Sequence, residues 1–197
     1  MEIISHRINT SFQLEDLDDK YGAEIDVRYH HDDLILHHDP FGHGEENSFL
    51  LENFLKKWNR EKILILNLKS EGIEKLCIEL INFYKIKNWF FLDMSMPFFV
   101  KYSHMAGNGS LAGFSSKNLA VRYSDFEPLE YALSFSKKVD WLWVDTFNTF
   151  PLDAQSYKRC VDANFKFCLV SPELQGGSKN EILQMRQAIK DYSIQAV

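Results

Sequence analysis

Short apolar runs recur along the chain, and most are separated by enough residues to hold a helix. They are EIISH (2–6), AEIDVR (23–28), ILILNLK (63–69), WFFLDMS (89–95), LAVRYS (119–124), WLWVDTF (141–147), FKFCLVSP (165–172) and IQAV (194–197). Between them, apolar positions fall three and four residues apart. The clearest case is 73–84, where Ile73, Leu76, Cys77, Leu80, Ile81 and Tyr84 share one helical face. Further helices are expected near 12–21, 49–59, 96–106, 126–137, 153–163 and 180–191. Strands that read as continuous apolar runs, each followed by a helix, predict a parallel sheet buried on both faces. Eight such strands are the inventory of a (β/α)8 TIM barrel, which ordinarily takes ~250 residues. A compact barrel in one domain, 1–197, is therefore expected, its eighth strand ending at Val197 with no helix after it. A doubly wound open sheet is the alternative.

Composition narrows the function more than the fold. Of the 197 residues, 45% are hydrophobic and 25% charged, a balance that belongs to a chain with a packed core. The net charge of -6 argues against nucleic acid as a partner. No apolar run approaches the ~20 residues of a membrane span, and MEIISHR reads as a strand rather than as a signal peptide. Cys77, Cys160 and Cys168 are widely spaced and sit on apolar faces, as core thiols in a reducing cytoplasm would.

Polar groups close nearly every apolar run: His6 and Arg7, Asp26 and Arg28, Asn67 and Lys69, Asp93 and Ser95, Arg122 and Ser124, Asp145, Ser171 and Glu173. Parallel barrels place their chemistry at these strand ends. Six of the seven histidines lie in the first 43 residues, four of them within the stretch EIDVRYHHDDLILHHDP (24–40). Glu24 and Asp26, two apart on one strand, point to the same side, as do Asn67 and Lys69. Two carboxylates so placed suit a hard divalent cation, although a salt bridge to Arg28 is the commoner fate of so short a motif.

The order of these groups resembles the signature of the glycerophosphodiester phosphodiesterase family. That signature has an early His-Arg, a Glu-x-Asp on the second strand, a His-Asp after it and an acid-x-Lys on the third. Here they become His6-Arg7, Glu24-Ile25-Asp26, His38-Asp39 and Asn67-Leu68-Lys69, in order over residues 3–69. FFLDMS, VRYSDFEP, WVDTF and CLVSPELQ continue the likeness more loosely. The resemblance implies metal-assisted hydrolysis of a glycerol-type phosphodiester, a small-molecule partner. His6 and His38 would be acid and base, in an order left open. Arg7, Lys69 and Arg122 would hold the phosphate. Glu24, Asp26 and Asn67 would hold Mg²⁺, with Ca²⁺ or Mn²⁺ as alternatives. His30, His31, His37 and His43 are then loop residues.

Two departures qualify the resemblance. Asn67 stands where the family supplies a third acidic ligand. The cation is therefore held more weakly, or Glu127, Asp145 or Glu173 supplies the charge, or the site has lost its metal. About 24 residues separate Asp39 from the third strand at Ile63, too few for an inserted cap domain. Substrate choice then falls to loops such as 105–113 and to Trp143 and Phe147, unless these aromatics simply pack in the core. A non-catalytic phosphate-binding barrel and a phospholipase-like headgroup cyclase are the competing functions.

Overall fold

Nine strands, seven α-helices and two short 3-10 turns make up the computed structural model, which describes residues 1–40, 48–58 and 61–197. They fall into two compact units, Ile3–Phe114 and Met1–Glu2 with Ser115–Val197.

The first unit runs β1 (Ile4–Ser5), α1 (Ser11–Asp16), β2 (Gly22–His30), β3 (Asp33–Leu36), β4 (Phe49–Leu50), α2 (Leu51–Lys57), β5 (Leu64–Leu68), α3 (Glu74–Phe83), β6 (Trp89–Leu92) and α4 (Met96–Asn108). Its sheet has the order β4-β3-β2-β5-β6, with β1 also paired to β2. The β1, β5 and β6 pairings are parallel. β2 and β3 form an antiparallel hairpin whose ends are His30 and Asp33. His31 and Asp32 turn it with positive φ values of 44° and 69°, the backbone that a two-residue hairpin turn demands. His30 and His31 therefore shape a turn. β5 and β6 are buried at every residue, which is why both read as unbroken apolar runs. Phe54, Phe90 and Phe91 are among the largest fully buried side chains beside the sheet. The segment 105–113 is less of a loop than expected, because α4 runs on to Asn108 and stops at left-handed Gly109. Gly113, at φ 73°, lies against the Asn82 amide and has no room for a Cβ.

The second unit contains β7 (Ala120–Tyr123), α5 (Leu129–Leu133), β8 (Trp141–Val144), α6 (Ala154–Asp162), β9 (Lys166–Leu169) and α7 (Lys179–Ala188), with parallel strands in the order β7-β8-β9. The Asp153 carboxylate caps α6 by accepting the Ser156 N–H at 2.7 Å. All three cysteines are free and buried, as their apolar surroundings predict.

The alternation of strands and helices follows the hydrophobic pattern, and the fold is mixed α/β. The closed barrel expected from it is not found among the described residues, whose strands form two separate sheets. Closure requires a hydrogen-bonded neighbour on both edges of every strand. The last apolar run contributes only isolated bridges, from Ala196 to Glu2 and to Cys168. The start of the expected 49–59 helix is instead β4. No described helix is long and apolar enough to cross a membrane.

Candidate active site

One edge of β2 is shared by two neighbours that diverge. β1 covers Gly22 and Ala23, and β3 covers Val27 to His30. In the gap, loop residues satisfy the backbone. Ile8 N–H donates to the Glu24 carbonyl at 2.9 Å and His37 N–H to the Asp26 carbonyl at 3.0 Å. The fork brings the chain after β1, with His6 and Arg7, and the chain after β3, with His38, to the same stretch of β2. Asn67 on β5 is the cross-strand partner of Asp26.

Glu24 and Asp26 are 1% and 0% exposed. Glu24 Oε1 accepts from Asn67 Nδ2 at 2.9 Å, and Oε2 from the Arg7 N–H at 2.8 Å. His6 Nε2 lies 3.6 Å from the same Oε2. Asp26 Oδ2 accepts from Asn9 Nδ2 at 2.8 Å, while Lys69 Nζ stands 3.6 Å from Oδ1 and 3.5 Å from Asp93 Oδ2. Burial and the neighbouring Asp26 push the Glu24 carboxyl up to about 7, against the hydrogen bonds from Arg7 and Asn67. Burial, then the Arg7 charge, lowers the His6 pKa below its ordinary value, with Asp26 opposing.

The His38 ring is fixed at both nitrogens. Nδ1 is 2.8 Å from Asp39 Oδ1, and Nε2 is 2.7 Å from Arg7 Nη2. A guanidinium only donates, so Nε2 is the acceptor and Nδ1 carries the proton toward Asp39. The hydrogen bond from His38 lowers the Asp39 pKa. Arg7 itself has a left-handed backbone, φ 58°, unusual away from glycine, and its N–H bond to Glu24 helps hold it there.

Asn9, which no motif singles out, and Arg28 complete the arrangement. Asn9 clamps Asp26 twice, its Oδ1 accepting the Asp26 N–H at 2.9 Å while its amide donates to the carboxylate. Arg28 donates to the carbonyls of His37 and His38 and to that of Lys69, with its shortest bond, 2.7 Å, to His38. The Arg28 guanidinium thus bonds these carbonyls, where the alternative to a cation site had it paired with Glu24 or Asp26. Asn9 lies seventeen residues from Asp26, and its only sequence signal is a polar residue beside the Thr10 cap of α1. Replacing Asn9 with alanine orphans a buried N–H and a carboxylate oxygen, at about 1–3 kcal/mol each. The melting temperature is expected to fall by about 2–4 °C per kcal/mol, and an unchanged melting curve would show that water replaces the clamp.

Among the described residues, no three His, Cys, Asp or Glu side chains converge to hold a metal ion. The oxygen set is instead two carboxylates and one amide. Within it, Asp26 Oδ1 and Asn67 Oδ1 are buried and accept no hydrogen bond. Unsatisfied hard oxygens beside a buried carboxylate pair are what Mg²⁺ or Ca²⁺ would take, so these residues fit a divalent cation. His43 lies outside the described residues, while His37 Nδ1 is bound to the Asp39 carbonyl at 2.8 Å.

The remaining predicted residues belong to the second unit. Arg122 lies 3.3 Å from Asp145 Oδ2 and 3.9 Å from Glu127 Oε2. Asp145 also accepts from Gln175 at 3.0 Å, and Glu127 from Ser124 at 2.8 Å. Glu173 accepts from the Ser171 hydroxyl. Trp143 is buried as a core residue, whereas Phe147 is exposed and meets the Phe126 ring edge-on, centroids 5.8 Å apart.

Fold and site together describe a mixed α/β chain with a two-histidine, two-carboxylate polar centre at its strand ends. The chain matches no protein-family model and no curated protein. Its structure is similar to the crystal structure of the glycerophosphodiester phosphodiesterase from Agrobacterium tumefaciens str. C58. The match has a TM-score of 0.65 at 14% identity and covers 100% of this chain and 95% of that one. At that identity the likeness is one of fold, in agreement with the family resemblance of the motifs.

Proposed function

We propose that the chain is a phosphodiester hydrolase acting on a glycerol-type phosphodiester, with a divalent cation at Glu24, Asp26 and Asn67. The observation that carries this reading is His38, held by Asp39 on one nitrogen and facing the Arg7 guanidinium with the other. A phosphodiester anion arriving at that guanidinium would sit against the imidazole. Arg7 and Lys69 neutralise its charge, and the cation, when bound, polarises a phosphoryl oxygen.

The two imidazoles divide the proton transfers. Burial and Arg7 keep His6 in its neutral, proton-accepting form, so His6 takes the proton of the attacking hydroxyl. Once the phosphate draws Arg7 away, His38 Nε2 takes a proton from solvent while Asp39 holds Nδ1–H, and it gives that proton to the departing alkoxide. The attacker is water or a neighbouring hydroxyl of the substrate, the latter giving a cyclic phosphate first.

Glycerophosphodiesters and bis(p-nitrophenyl) phosphate test the reading directly. Turnover is expected with Mg²⁺, Mn²⁺ or Ca²⁺ and is expected to vanish in EDTA. Binding of glycerol phosphate without turnover of any diester under any metal would support the non-catalytic phosphate-binding alternative instead.

A further inference from the structure

Glu24, Asp26 and Asn67 bring two carboxylates to the polar centre, and the Asn67 amide adds no charge. The Lys69 ammonium, 3.6 Å from the buried Asp26 Oδ1, offsets one of them. A divalent ion is attracted in proportion to the charge it meets, so a centre of this kind gains from a further acid. Glu127, Asp145 and Glu173 are engaged within the second unit by Ser124 and Arg122, by Arg122 and Gln175, and by Ser171.

Asp93 stands on the other side of Lys69. Leu92 at the end of β6 is the cross-strand partner of Asn67, so Asp93 follows one residue beyond the amide. Its Oδ2 is 3.5 Å from Lys69 Nζ. The backbone of Asp93 is left-handed, φ 59°, a conformation that Asp and Asn tolerate better than most side chains. Asp26 is fully buried, whereas the Lys69 and Asp93 side chains are 19% and 27% exposed. The ammonium therefore bridges a buried carboxylate to one nearer solvent. Asp93 is not itself a third ligand, since no three His, Cys, Asp or Glu side chains converge among the described residues. Its influence on the centre passes through Lys69.

We propose that Asp93 is a positioning residue for the cation centre: by engaging the Lys69 ammonium it leaves the Glu24 and Asp26 charges to the divalent ion, and so stands in for the charge that Asn67 lacks. The inference rests on the cation reading of that centre. Calorimetric titration with Mg²⁺ and with Mn²⁺ reads the effect without turnover. Asp93→Asn keeps the left-handed turn, removes the charge and is expected to weaken binding about tenfold. In a Lys69→Met background, or Lys69→Gln should the methionine variant fail to fold, the same substitution should change the affinity little. Moving the charge, by combining Asn67→Asp with Asp93→Asn, should return the affinity to near that of the parent. An affinity indifferent to Asp93→Asn overturns the proposal. So does an equal loss with and without Lys69, or a relocated charge that restores nothing. The same proteins are then assayed on glycerophosphodiesters and bis(p-nitrophenyl) phosphate, where saturating Mg²⁺ is expected to restore turnover in Asp93→Asn but not in Lys69→Met. Metal binding that depends on Asp93 with no diester hydrolysed keeps this role and removes the hydrolase reading. Turnover with a metal affinity indifferent to Asp93 does the reverse. A parent protein that binds neither metal overturns the cation centre and this role together.

Discussion

Replacing His38 with alanine is expected to slow hydrolysis of a glycerophosphodiester by about 10²–10⁴-fold, the usual contribution of a positioned acid. On bis(p-nitrophenyl) phosphate the loss should be much smaller. A p-nitrophenolate departs without a proton, whereas a glycerol-type alkoxide does not. His6→Ala removes the base and is expected to depress both substrates alike. The contrast arises from the different surroundings of the rings. His6 is kept neutral by burial and Arg7, while the His38 ring has the Asp39 carboxylate 2.8 Å behind it. Both rings are about a third exposed, 29% and 34% by side chain, so either substitution should leave the fold intact by circular dichroism. Equal losses on the two substrates in both variants would sink the division of labour.

Glu24→Gln is expected to stabilise the metal-free protein while abolishing metal-dependent turnover. The Glu24 carboxyl titrates at about 7 in the fold against an ordinary 4.5. Between these values the folded protein keeps a proton that the unfolded chain has released. Stability is therefore highest below about pH 4.5, as far as this group alone is concerned, and is lost as the pH rises toward 7. The difference corresponds to about 3 kcal/mol at most. In EDTA the melting temperature of the parent should fall across this window by several degrees. In the glutamine variant the fall should be much reduced. Adding Mg²⁺ at pH 8 should raise the parent's melting temperature and leave the variant's little changed. A response to Mg²⁺ that is the same in both proteins would remove Glu24 from the metal set.

The elements were legible because burial writes itself into local composition. β5, β6 and β8 are buried at every residue and appear as LILNL, WFFL and WLWV. Partnership between strands is a different matter. An apolar run states that both faces are covered but not which edge meets which, so closure into one barrel was not legible. The site divides in the same way. His6, Arg7, Glu24, Asp26, His38, Asn67 and Lys69 stood out because their spacing matches a motif, and all seven lie in the first unit. Asn9 acts on a strand seventeen residues away and left no pattern to read, and Arg28 showed as a strand-end cation but not as the partner of distant carbonyls.

The Arg28 guanidinium reaches beyond the chemistry. By bonding the carbonyls at 37, 38 and 69 it splices the ends of β3 and β5 into a single rigid part. The imidazole of His38 is thus placed before the chain leaves Pro40. The stretch between Pro40 and β4 can then be lengthened, exchanged or replaced by an inserted domain without resetting the ring. Grafting a new segment between Pro40 and β4 should accordingly leave the centre itself in register.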